Sequence, residues 1–202
     1  MIIKRLFLAV GCVAAVGIAN AQNIVQNPGF ELPYTDSTDF PDWTVAPGTS
    51  TTNGSPGIYT GLDLGVEGPH QGNNWITLSA FASDGPGSIS QTLNTVAGQE
   101  YTLSFWMEDT TLEWDQSVLN VNWGGSLALD ATKLLSVADV YQQFSTTVTA
   151  TSNTTVLQFY GQQNIGWTAF DDVSVTAVPE PFTLALCAGG LGLALARRRR
   201  CT

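Results

Sequence analysis

The chain has 202 residues, and its seven basic and 17 acidic side chains give a formal net charge of −10 at pH 7. An acidic excess of this size excludes binding to nucleic acids and to anionic lipid surfaces, because both need clustered lysine and arginine. The three cysteines, Cys12, Cys187 and Cys201, lie near the chain ends. The body between them can therefore form neither a disulfide nor a thiolate metal site.

Residues 1–21 have the organisation of a secretory signal peptide. Two basic residues precede an apolar stretch from Leu6 to Ile18, and the small residues Ala19 and Ala21 form a cleavage site. We therefore expect export, with residues 1–21 removed. A lipoprotein acylated at Cys12 is an alternative interpretation.

Residues 22–177 form the predicted working domain. Only Lys133 is basic there, against sixteen acidic residues, which gives a net charge of about −15. Apolar and polar residues alternate in short runs separated by Gly, Pro, Asn and Asp, a pattern typical of strands with one buried face. The runs are Ile89–Leu93, Tyr101–Met107, Leu119–Trp123, Phe144–Val148, Leu157–Phe159 and Val173–Thr176, the last predicted to end the domain. Nine or ten short strands predict an all-β, jelly-roll β-sandwich.

A tail at residues 178–202 follows this domain. It contains the tripeptide Pro179, Glu180 and Pro181, and then an apolar run over residues 182–196. As a helix this run spans about 22 Å, less than the roughly 30 Å of a bilayer core, so it is a marginal membrane anchor. A core helix with a basic end is the alternative. Four arginines close the run and favour a cytoplasmic end: Arg197, Arg198, Arg199 and Arg200.

The order and spacing of this tail resemble the PEP-CTERM sorting signal of bacteria that make extracellular polysaccharide. The resemblance implies recognition by an exosortase-type membrane protease, which would release the protein at or near Pro-Glu-Pro. The expected location is transient anchoring in the inner membrane, followed by the cell surface or the extracellular matrix.

The body itself resembles galactose-binding-domain-like jelly rolls, a group that includes many carbohydrate-binding modules. The similar stretches are Asn-Pro-Gly-Phe-Glu at 27–31, the strand over 98–105, and the closing Asp171-Asp172-Val173. The resemblance implies a structural Ca²⁺ held by the Glu31 and Asp172 carboxylates and the Gly29 carbonyl, and oxygen donors of this kind suit calcium. The alternative is that Glu31 makes a turn hydrogen bond while the two aspartates are solvated loop carboxylates.

Two of the six tryptophans lie in polar stretches that we predict to be loops. Loops at the end of a sandwich commonly carry binding residues, so Trp114 and Trp167 are candidates for stacking on sugar rings, with Asp115 and Gln163 hydrogen-bonding the hydroxyls. Core burial of both tryptophans is the equally weighted alternative. Trp106 could face either way along its strand. Three others are predicted to fill the core: Trp43, Trp75 and Trp123.

Catalysis has little support in the sequence. His70 is the one histidine, and the body has no cysteine, so no serine triad, zinc protease or cysteine hydrolase can be assembled. We therefore predict a non-catalytic, exported surface or matrix protein that binds extracellular polysaccharide. The alternatives are a structural or adhesive protein without a sugar site and, more remotely, a glycoside hydrolase with paired carboxylates.

Overall fold

The computed structural model describes residues 22–33, 41–46, 57–59, 68–80, 87–109, 118–132 and 140–179. In these ranges the secondary structure is entirely β, in nine strands. They are β1 (Thr44–Val45), β2 (Gly57–Tyr59), β3 (Trp75–Ala80), β4 (Gly87–Asn94), β5 (Glu100–Asp109), β6 (Val118–Trp123), β7 (Ser126–Asp130), β8 (Gln142–Thr149) and β9 (Thr154–Ala177). Within the same ranges no helix has the length and hydropathy needed to cross a membrane. The predicted signal peptide and the predicted helix at 182–196 lie outside the described residues.

The strands form two antiparallel sheets that share β9. In sheet A the order is β8-β5-β9-β3-β2, and in sheet B it is β1-β4-β9-β6-β7. The first part of β9, to Gln162, pairs with β4 and β6, and the remainder, from Gln163, pairs with β3 and β5. The predicted all-β class is confirmed, and two antiparallel sheets are consistent with a jelly-roll sandwich.

The length of β9 corrects one sequence prediction. The polar stretch that contains Trp167 is predicted to be a loop, and Val173–Thr176 a separate last strand. The structure instead has one strand of 24 residues. Backbone pairing holds the Gln- and Asn-rich segment from both ends, because Gly161 pairs with β4 and β6, Gln162 with β6, and Gln163 and Thr168 with β3.

Aromatic rings join the two inner faces. Phe105 of sheet A meets Phe159 of sheet B edge-on, with ring centroids 5.2 Å apart, and Phe159 stacks on Phe170 at 4.5 Å. All three are fully buried, and each such side chain contributes about 1.5–3 kcal/mol to folding. Trp43 and Trp123 lie in this core as predicted.

Trp75 is buried, as predicted, but it lies outside the main core. Its side chain is 0% exposed and packs with Ala169 in a second cluster, against which Tyr141 lies. Because Ile76, the next residue on β3, is in the main core, alternation along the strand puts Trp75 on the outer face of sheet A. The outer face of sheet A is therefore covered, and not exposed to solvent, at Trp75.

The N-terminal segment is tied to both sheets. The Ile24 amide donates to the Val175 carbonyl (2.9 Å). The buried Gln91 side chain accepts from the Gln26 amide (2.8 Å) and donates to the Gln26 carbonyl (2.9 Å). Asn27 (φ 47°) and Phe30 (φ 57°) both adopt left-handed backbone conformations, which for a bulky residue such as Phe are costly. This tight turn leaves Phe30 buried in the core and Glu31 exposed beside β9.

Candidate functional site

The outer face of sheet A carries matched rows of hydroxyl side chains. Thr102 of β5 lies between Thr147 of β8 and Thr176 of β9, and one step along, Ser104 lies between Ser145 and Ser174. The apolar residues between them on β5 point into the core, so alternation puts the hydroxyls outward. We call these six residues the hydroxyl face; none of them is charged, although the domain is strongly acidic.

Trp106 stands at the end of the hydroxyl face. It is the next outward residue of β5 after Ser104, and it pairs with Gln143 on β8. Its side chain is half-buried. The His70 ring stacks on the Trp106 ring with centroids 3.9 Å apart and an interplanar angle of 14°. Tyr141 packs edge-on against the same imidazole at 5.5 Å. The indole is therefore fixed in place rather than free to change rotamer.

The 68–74 loop holds this ring assembly. The Tyr141 hydroxyl donates to the Gly68 carbonyl (3.0 Å), and the Gln71 amide donates to Asp171 Oδ2 (3.2 Å). The Asn73 and Asn74 amides both donate to Glu31 Oε1, at 2.8 and 3.0 Å. His70 connects the loop to sheet A through its stacking on Trp106.

Three acidic side chains gather where β9 passes the N-terminal turn. A β-carbon at Gly29 would lie 3.5 Å from Asp172 Oδ1, 3.6 Å from Asp171 Oδ1 and 3.8 Å from Glu31 Cγ. His70 Nδ1 lies 2.6 Å from Asp172 Oδ2. We call Gly29, Glu31, Asp171 and Asp172 the acidic corner.

The geometry of β9 explains how two consecutive aspartates reach the same corner. Pairing with β5 is irregular between Ser104 and Trp106, and Asp172 has a left-handed backbone with φ 49°. Between the pairs Ser104–Ser174 and Trp106–Asp171, β9 has one residue more than β5. Such a bulge changes the direction of side chains that would otherwise point to opposite faces of the sheet. Asp171 is consequently fully buried, whereas Asp172 is only partly so.

Burial raises the pKa of the Asp171 carboxyl to about 7, and the neighbouring Asp172 carboxylate adds to the rise. Hydrogen bonds from the Gln71, Asp172 and His70 amides act in the opposite direction. Burial also raises the pKa of the Tyr141 phenol well above its usual value, with Glu108, Asp171 and Asp172 contributing in that order. Ionisation of Asp171 in the acidic corner therefore costs free energy.

The fit of these residues to calcium is partial. Asp171 and Asp172 supply two neighbouring hard oxygens, as calcium prefers. Glu31 turns one oxygen toward the 68–74 loop, where two amides occupy it. Among the described residues, no three His, Cys, Asp or Glu side chains converge closely enough to hold a metal unaided. A cation here would need backbone carbonyls or water as further ligands.

The structure corrects part of the alternative to calcium, in which these carboxylates bind no ion. The alternative to calcium assigned Glu31 a turn hydrogen bond, which the structure has, but it made Asp171 a solvated loop residue. That part is wrong, because Asp171 lies on β9 and is sealed by the 68–74 loop. Asp171, which is not among the calcium ligands predicted from the sequence, is therefore the most deeply buried of the three carboxylates.

The predicted sugar-stacking residues are only partly described. Trp114 and Asp115 lie outside the described residues. The loop placement of Trp167 and Gln163 is wrong, since both backbones belong to β9, where Gln163 pairs with Ala80. The hydroxyl face was not predicted, although its signal is present in the sequence as Thr-x-Ser or Ser-x-Thr spacings on three strands.

Comparison with known proteins supports the fold. No protein-family model and no curated protein matches the chain. The enzymatically active domain of tailspike protein 4 from bacteriophage CBA120 aligns with a TM-score of 0.50 and 15% identity, over 77% of this chain. The match covers 21% of the tailspike chain, so this protein spans about a fifth of that length.

Two carbohydrate-binding modules are also similar. A xylan-binding domain from Paenibacillus barcinonensis has a TM-score of 0.49 and 12% identity, covering 75% of this chain and 92% of its own. A module solved with β-1,4-galactotriose has a TM-score of 0.48 and 16% identity, covering 78% of this chain and 100% of its own. At such identities the likeness concerns the fold alone.

Proposed function

We propose that this protein is a non-catalytic module that binds a neutral extracellular polysaccharide. The observation that carries the proposal is the hydroxyl face: six uncharged Ser and Thr side chains in register across three strands, ending at Trp106. A regularly spaced set of donors and acceptors suits a polymer with repeating hydroxyls. The half-buried indole supplies an apolar surface for the C–H face of a sugar ring.

Charge supports a neutral ligand over an anionic one. With a single lysine against sixteen acids in residues 22–177, the domain repels polyanions at long range. The hydroxyl face itself has no ion-pairing group. A neutral glycan is therefore favoured over nucleic acid, anionic lipid or a strongly acidic polysaccharide.

The direct test measures retention of the purified protein on insoluble neutral polysaccharides, with variants on the hydroxyl face. Ser145→Glu places a charge on the exposed edge strand β8 and should weaken retention about tenfold or more, since an unpaired charge must then be desolvated. Ser145→Thr keeps the hydroxyl and should bind normally. Trp106→Ala should weaken binding as well. If Ser145→Glu and Trp106→Ala both bind like the wild type, the hydroxyl face is not the site; if no glycan retains the wild type, the structural or adhesive alternative is favoured.

The export and sorting of the protein are part of the same proposal. Residues 1–21 direct export, and residues 178–202 act as a temporary anchor that an exosortase-type protease removes. Pro-Glu-Pro at 179–181 is the expected recognition element. Glu180→Ala should therefore accumulate uncleaved in the membrane fraction, and release at the normal rate would contradict exosortase processing.

We further propose that the acidic corner binds a structural calcium ion. The cost of burying Asp171 beside Asp172 would be offset by a divalent cation. Glu31 and the Gly29 backbone lie next to this pair, so the N-terminal turn and β9 would be joined through it. The ion would act on stability, with no role in a reaction.

A further inference from the structure

A polar groove crosses the outer face of sheet B, on the opposite side of the sandwich from the hydroxyl face. It has a volume of about 360 Å³ and lies between the β6–β7 turn and the β8–β9 turn, within the range of ligand-binding clefts. Nine residues line it, and none is charged. Those that matter here are Asn122, Thr151, Ser152, Thr154, Val156 and Gln158.

Side-chain amides form a connected row on the floor of the groove. Asn122 Nδ2 donates to Gln158 Oε1 (3.2 Å), and Gln158 Nε2 donates to Ser88 Oγ (3.1 Å). The row runs across β6, β9 and β4 and fixes the orientation of both amides. Each primary amide has two N–H donors and an oxygen with two lone pairs, so this row leaves hydrogen-bonding capacity for a ligand.

Both walls of the groove are held by backbone and hydroxyl contacts. Gly124 (φ 58°) and Gly125 (φ 83°) form a tight hairpin turn, and the Gly124 amide donates to the Val156 carbonyl (2.9 Å). On the other wall, Thr95 Oγ1 donates to the Ser152 carbonyl (2.8 Å) and lies 2.9 Å from Thr155 Oγ1. A groove with fixed walls loses little conformational freedom when it binds.

The floor also has an apolar element. The Val156 side chain is 44% exposed, within the lining beside Gln158. Amide and hydroxyl groups around a small apolar patch match a molecule with hydroxyls on its edge and C–H groups on its face. A saccharide has this chemistry, whereas an anion would find no cationic side chain in the lining and a metal ion no carboxylate.

We propose that this groove is a second binding site for a neutral oligosaccharide. The inference deepens the proposed function, because it assigns a second surface and the same ligand class to the opposite side of the domain. One molecule would then hold two glycan chains at once. The Asn122 and Gln158 amides, the second held by Ser88, would make the specific hydrogen bonds, and Val156 would contact the ring face.

Isothermal titration calorimetry with neutral hexasaccharides of glucose, xylose, mannose and galactose tests this assignment. The wild type should bind two equivalents of the preferred sugar. Asn122→Asp removes a donor from the amide row with almost no change in volume, and should lose about tenfold or more in affinity at one site. Gln158→Glu should do the same. Asn153→Asp adds the same charge on the β8–β9 turn, at a residue outside the groove lining. It keeps the oxygen that accepts from the Ala97 amide and should retain both sites.

The variants test the hydroxyl face and the groove separately. If Ser145→Glu removes one equivalent and Asn122→Asp the other, both surfaces bind. If Asn122→Asp and Gln158→Glu keep the melting temperature and the sugar binding of the wild type, the assignment of the groove is overturned. The assignment of the hydroxyl face is unaffected by that result. If only the groove variants lose binding, the groove is supported and the hydroxyl face is not. If no hexasaccharide binds the wild type, both assignments are overturned.

Discussion

The buried Asp171 carboxyl gives a sharp prediction about pH. Its pKa is 3.8 in a model compound and about 7 in the fold, mainly because of burial. Between these values the unfolded chain has released the proton and the native protein still holds it, so native stability falls as pH rises through this window. At one pKa unit per roughly 1.4 kcal/mol, the loss is on the order of 4 kcal/mol.

Asp171→Asn removes this dependence. The amide oxygen of asparagine can still accept the Asp172 amide, as Asp171 Oδ1 does now at 2.7 Å. The variant should therefore gain stability relative to the wild type as pH rises from about 4 to about 8, because only the wild type is penalised by ionisation.

Urea unfolding in EDTA, followed by tryptophan fluorescence, measures this difference at each pH. Comparing the two proteins at the same pH cancels the titration of the carboxylates they share. A stability difference that stays constant from about pH 4 to about pH 8 would refute the assignment of a raised pKa to Asp171. With calcium in place of EDTA the difference should shrink, since a cation favours the ionised carboxyl.

Three further outcomes are expected. Gly72→Ala should lower the free energy of unfolding by about 1 kcal/mol or more, because Gly72 has φ +74° and a β-carbon would lie 2.1 Å from Glu31 Oε1; equal stability in urea would contradict the observed loop. EDTA should lower the melting temperature, and Asp172→Asn should abolish that effect, whereas an EDTA-insensitive wild type would exclude structural calcium. The wild type should cross-link a long neutral polysaccharide and raise its light scattering, and Asn122→Asp should not; equal scattering would count against two-sided binding.

The strands were predictable where one face is buried. Tyr101–Met107 alternates cleanly, and β5 spans Glu100–Asp109, because apolar residues with a period of two can be buried only on one face of a sheet. The same rule failed over residues 161–167. There the chain passes from one sheet to the other, and the pairing of Gly161 with β4 and β6 and of Gln163 with β3 overrides the turn preference of Gly, Gln and Asn.

The candidate sites were less predictable because they depend on contacts distant in sequence. His70 reaches Asp172 across 102 positions, and nothing local to either residue signals the contact. Asp171 is buried by the 68–74 loop, a feature set by long-range packing. The hydroxyl face was visible as spacing, but only the strand register aligned Thr102 with Thr147 and Thr176.

Retention of the wild-type protein on polysaccharides tests the central claim most directly. The protein is mixed with insoluble neutral glycans, an anionic glycan and the matrix of the producing cells, in EDTA, at low and high salt. We predict retention on at least one neutral glycan, equal at both salt concentrations because no ion pair is formed. Absence of retention on every neutral glycan, or retention that disappears at high salt, would contradict the account.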